Sequence, residues 1–144
     1  MSKVNPIPEG YHTVTPYFVV HDAARFIEFL KRAFQAEERY VLRHPDGSVW
    51  HAEMKIGTSP VMLGQANAQW KPRPSTMHLY VEDVDAAYRR AVAAGGKPLR
   101  EPADQFFGDR SGAVEDAEGN HWYVASRKEN LSDQEIEQRT KAAR

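Results

Sequence analysis

The chain has no cysteine among its 144 residues. That removes a disulfide framework, a thiolate metal site and a thiol nucleophile. Any metal would need His, Asp or Glu ligands. An excess of one charge is also missing, with 19 basic against 20 acidic residues. This argues against a phosphate-binding groove or an adhesive membrane surface. Basic residues are dispersed, so no nucleic-acid partner is expected. No apolar run approaches the roughly 20 residues of a membrane span. The opening MSKVNPIPEG has no signal-peptide pattern, and the expected location is cytoplasmic. GxSxG, a glycine-rich phosphate loop and HExxH are all absent.

What is present is a pattern of alternating elements. After a Pro/Gly-bearing lead, Thr13 to Val20 is β-branched and aromatic and predicts a strand. Asp22 can cap the helix that follows. Its residues Phe26, Ile27, Leu30, Ala33 and Phe34 recur at helical spacing and form one buried stripe. Three strands are predicted next, at Glu38 to Arg43, Ser48 to Ile56 and Pro60 to Gly64, with turns at Pro45–Gly47 and Gly57–Ser59. The order then repeats. Thr76 to Val81 predicts a strand and Asp83 a cap. Val84, Ala87, Tyr88, Ala91 and Val92 give a second stripe, which Gly95 and Gly96 end. Strands are predicted at Lys97 to Arg100, Arg110 to Glu115 and His121 to Ser126. The polar, proline-bearing stretch Gln65 to Ser75 reads as a linker. The repeat shows in element order and only faintly in residue identity. The tail from residue 129 to 144 reads as a weakly docked surface helix, opened by a Ser132/Glu135 capping box.

Several stretches resemble the vicinal oxygen chelate superfamily, which includes glyoxalase I, bleomycin-resistance proteins, fosfomycin-resistance enzymes and extradiol dioxygenases. They are HTVTPYFVV…AARFIEFLKRAF, HAEMKIG, HLYVEDVDAAYRRAVAAGG and DQFFGDRSGAVEDAEGNHW. The PhnB-like branch is the most similar. The likeness runs from Val4 to Lys128. It implies an α+β fold of two βαβββ modules, about 11–65 and 76–128, whose mixed sheet curls into a cup with the helices outside. It also implies a small-molecule ligand or substrate and a homodimer.

Alternation along the strands selects candidate pocket residues. In SVWHAEMKIG, Trp50, Ala52, Met54 and Ile56 should share one face, and His51, Glu53 and Lys55 the other. His78 and Tyr80 oppose Met77 and Leu79. His121 and Tyr123 oppose Trp122 and Val124. The apolar faces must meet the helical stripes, so His51, Glu53, His78, Tyr80, His121 and Tyr123 are left to line the pocket. Phe107 and Arg110 come from QFFGDR. The phenylalanines are either a wall or core packing. Arg110 either holds an anionic group or pairs with Asp109 or Asp116. Trp70 in the linker is a pocket wall, a dimer contact or plain packing.

The resemblance further implies metal ligands on the first and last strand of each module, commonly His and then Glu. His78 matches the first-strand position of the second module, but Tyr123 stands where the glutamate belongs. Neither Thr15-Pro16-Tyr17 nor PVMLG offers a ligand. His51, Glu53 and His78 form the alternative set for zinc, nickel, manganese or iron. The opposing reading is that Glu53 pairs with a cation, or that both β-strand residues simply face pocket or solvent. Two functions follow. One is metal-free sequestration of a small aromatic or cationic molecule, with Glu53 or Glu82 supplying charge. The other is a metal-dependent lyase, isomerase or dioxygenase acting on adjacent oxygens. A metal-free enzyme with His51 or His78 as base is a third.

Overall fold

A computed structural model describes residues 3–143. They form two compact units that divide between Pro74 and Ser75. The first unit runs β1 (Tyr17–Val20), α1 (Ala23–Phe34), β2 (Glu37–Arg43), β3 (Val49–Ile56) and β4 (Ser59–Gln65). The second runs β5 (Thr76–Tyr80), α2 (Val84–Ala93), β6 (Lys97–Asp104), β7 (Asp109–Glu115), β8 (His121–Arg127) and α3 (Asp133–Ala142). The sheet orders are β1-β4-β3-β2 and β5-β8-β7-β6. In each sheet the first strand pairs in parallel with the last, and the remaining pairs are antiparallel. The expected βαβββ order therefore stands in both units.

Both long helices begin as the sequence predicts. The Asp22 side chain accepts from the Arg25 N–H, and that of Asp83 from the Ala86 N–H, each at 3.1 Å. The whole predicted stripe of α1 is buried, with Phe29 added to it. Phe26 packs on Phe18 of β1 with ring centroids 5.1 Å apart. Leu30, Met54 and Leu63 complete that core. Burying each such side chain contributes about 1.5–3 kcal/mol. In the second unit Val84, Ala87 and Ala91 of α2 cover a core containing Val114, Trp122 and Val124.

Three strands differ from the sequence expectation, each for a local reason. The β1 ladder starts only at Tyr17, because Pro16 has no N–H; its carbonyl accepts from Met62 N–H at 2.9 Å. β6 extends past Arg100 to Asp104 in spite of Pro98 and Pro102. It is an edge strand with two register shifts, and bulges on an edge tolerate missing donors. In β3 a bulge leaves Trp50 unpaired, since Leu42 opposes His51 while Arg43 opposes Val49. Val49 takes the core position. Trp50 turns outward and stacks on His44 at 4.9 Å. The expectation that Trp50 shares a face with Ala52 and Met54 is thus corrected.

The tail is a capped helix, as read from the sequence. Ser132 and Glu135 exchange side-chain and backbone hydrogen bonds, and no α3 residue is buried. Arg139 ties it down by donating to the Glu129 carboxylate at 2.6 Å and to the Phe106 carbonyl at 3.2 Å.

Candidate functional site

Each sheet has one face against its helix and one open face. In the first unit the register runs Tyr17–Met62–Glu53–Tyr40 across the four strands and Val19–Gly64–His51–Leu42 beside it. These rows alternate with buried Phe18, Leu63 and Ala52, so they lie on the face away from α1. His51 and Glu53 are neighbours there, both half-buried.

A hydrogen-bonded chain joins four side chains on this face. Tyr11 donates its hydroxyl to Glu53 Oε1. His51 Nε2 lies 3.2 Å from Glu53 Oε2, and His51 Nδ1 lies 3.2 Å from the Tyr17 hydroxyl. The Tyr17 ring tilts over the imidazole at a centroid distance of 5.7 Å. Gly64 makes this crossing feasible, because a Cβ there would stand 2.5 Å from the Tyr17 hydroxyl oxygen. The Arg39 guanidinium sits 5.5 Å over the Tyr11 ring.

The electrostatics follow the contacts. The bond from Tyr11 holds the Glu53 carboxyl below its ordinary range, against the opposing effect of burial, and His51 adds to the lowering. The Tyr11 hydroxyl is pushed up to about 12, first by burial and then by Glu53. Burial also raises the Tyr17 hydroxyl.

In the second unit the open-face rows are His78–Tyr123–Ala113–Arg100 and Thr76–His121–Glu115–Lys97. His78 meets Tyr80 edge-on at 5.1 Å and lies roughly parallel to Tyr123 at 6.3 Å. His121 Nε2 is 2.9 Å from Glu115 Oε1, a directly opposed pair on adjacent strands. The structure thus brings together His51 with Glu53 in one unit, and His78 with Tyr80 and Tyr123 in the other. His121 stands on the same face, held by Glu115.

Arg110 and Phe107 do not join these groups. Arg110 alternates with Val114 toward α2, where Nε and Nη2 each donate to Asp85 at 2.8 Å and Nη1 to Asp104 at 3.2 Å. Its partners are therefore neither Asp109 nor Asp116. This bidentate bond lowers the Asp85 carboxyl. Phe107 lies in the tight Gln105–Asp109 turn, edge-on to Phe106 at 5.3 Å. Asp116 has other work. Its buried carboxylate accepts from the Trp122 indole at 2.7 Å, from the Asn120 side chain at 2.9 Å, and from the backbone N–H groups of Glu118 and Asn120. Asn120 in turn accepts from Ser75 N–H at 2.8 Å, which fixes the entry to β5. Trp70 is exposed in the linker, where the Asn67 side chain accepts from its backbone N–H at 2.7 Å.

The metal set named from the sequence is divided between the two units. His51 and Glu53 occupy one unit and satisfy each other, while His78 belongs to the other. Among the described residues no group of three or more His, Asp or Glu side chains could hold a metal ion. Two site residues escaped the sequence reading. Tyr17 could have been found from its alternation with Phe18. Tyr11 carries no periodic signal.

Paired βαβββ modules with parallel closing strands and open faces rich in His, Tyr and Glu define a protein of the vicinal oxygen chelate class. The chain belongs to the glyoxalase/bleomycin resistance protein/dioxygenase superfamily, whose sequence profile matches residues 11–124. An uncharacterised protein of Mycobacterium bovis is 36% identical over 135 residues, covering 86% of this chain and 89% of its own. Among solved structures, TioX from Micromonospora has a TM-score of 0.65 at 24% identity, covering 84% of this chain and all of its own (100%). A PhnB protein from Bacillus cereus scores 0.64 at 19%, covering 80% of this chain and 99% of its own. The fosfomycin resistance protein FosX from Mesorhizobium loti scores 0.61 at 19%, with 85% and 96% covered. At these identities the structural likenesses establish the fold.

Proposed function

We propose that the chain binds a small organic molecule against the open face of a sheet, holding it by aromatic contact and a few directed hydrogen bonds. One observation carries this reading. The face opposite each helix bears aromatic side chains that are half-exposed or more, Tyr17 at 50% and Tyr80 at 68%, set among His51, Glu53, His78, His121 and Tyr123. A merely solvated face would favour Lys and Glu over exposed rings. Rings with convergent polar groups are what a ligand surface needs. The binding needs no metal, which suits a His51–Glu53 pair already bonded to each other.

Chemical-shift mapping with an aromatic fragment library tests the proposal. Shifts should fall on Tyr17 and His51 in the first unit or on His78, Tyr80 and Tyr123 in the second, and His78→Ala with Tyr80→Ala should abolish those on β5. Shifts confined to the helices, or none with any fragment, would exclude it.

A further inference from the structure

The chain Tyr11–Glu53–His51–Tyr17 has a direction. An ionised carboxylate has no proton to give, so it can only accept. Tyr11 must then donate to Oε1, and His51 must present Nε2–H to Oε2. The other tautomer would set a nitrogen lone pair against a carboxylate lone pair 3.2 Å away. With its proton on Nε2, neutral His51 has a bare Nδ1. In that neutral ring Tyr17 donates to it across 3.2 Å. The Tyr17 hydroxyl thereby spends its only proton inward. Its oxygen is left with lone pairs alone, on a side chain that is half exposed.

We propose that this open face selects a ligand presenting an O–H or N–H group, because with His51 neutral the four-residue chain turns the Tyr17 hydroxyl oxygen into an acceptor. This deepens the ligand-binding reading above and rests on it. A ligand that offers only lone pairs meets lone pairs at Tyr17. An aromatic body suits the site, since the Tyr17 ring presents a flat surface beside the imidazole.

Two measurements on the full chain test it. Long-range proton–nitrogen correlation spectra at neutral pH should show His51 protonated on Nε2 only. Titrations should then compare phenol with anisole, the same ring with its donor capped by a methyl group. Phenol should bind about tenfold more tightly, the worth of one hydrogen bond. The preference should fall to about one in Tyr17→Phe. It should fall likewise in Gly64→Ala, which keeps the hydroxyl but pushes it off His51. A proton on His51 Nδ1 would overturn the inference. So would equal binding of phenol and anisole, which would leave the broader ligand reading standing. No binding of either compound, while other fragments still shift the same residues, would also overturn it.

Discussion

Tyr11 and Glu53 are separated by 42 residues, and their bond shapes the acid–base behaviour of the first unit. The folded carboxyl is held below its ordinary 4.5. Its contribution to stability is therefore in place above that value and is lost as pH falls through the lower folded one. Tyr11→Phe should cost about 1 kcal/mol at pH 7, a charged hydrogen bond discounted for partial exposure. In urea denaturation that difference should shrink as pH falls below the ordinary carboxyl range. Tyr11 has the opposite sign. Its raised hydroxyl stabilises below 10 and loses that effect as pH rises through about 12. Ultraviolet titration should show Tyr11 ionising near 12, and Glu53→Gln should bring it down. At this scale His51 and Glu53 were legible, because strand alternation is a local rule. Arg110 was misplaced in the pocket set, although the same rule applied to Arg-Ser-Gly-Ala-Val puts it on the face of Val114. Tyr11 was not, because its position depends on the chain returning from a distant lead.

Elements were legible where propensity and punctuation agree. Both long helices carry an Asp cap and a 3.6-residue stripe, and both start where those signals fall. Asp83→Ala should therefore cost about 1 kcal/mol, measured by thermal unfolding. β6 was legible only to Arg100, because proline usually ends a ladder and the bulges that admit it leave no sequence mark. Gly112 of β7 is part of that accommodation. A Cβ there would meet the Arg100 carbonyl oxygen and Pro102 nitrogen at 3.2 Å, and both are backbone atoms that yield little. Gly112→Ala should destabilise by about 1–3 kcal/mol, the usual range for overpacking. Hydrogen exchange should show the loss first in β6. The buried turn is a stronger case. Asp116→Ala strands the Trp122 indole and Asn120 amide donors at once, which should cost about 3 kcal/mol or more in urea denaturation.

At the scale of the molecule, duplication of architecture has not meant duplication of chemistry. The first unit's open face carries an ionisable chain from Tyr11 to Tyr17. The second carries an aromatic cluster of His78, Tyr80 and Tyr123 and a His121–Glu115 pair. The order of elements could be read because each module spells out its own local signals. The open-face networks could not, because strand pairing sets which side chains meet. No described helix is long and apolar enough to cross a membrane.

The distribution of indoles has a spectroscopic consequence. Of the three tryptophans, Trp50 and Trp70 are exposed and Trp122 is buried in the second unit's core; the first unit's core holds Phe18, Phe26, Phe29 and Phe34 instead. Blue-shifted emission therefore comes from the second unit alone. Fluorescence will follow that unit's unfolding while circular dichroism follows both, and any gap between the two curves measures how strongly the modules are coupled.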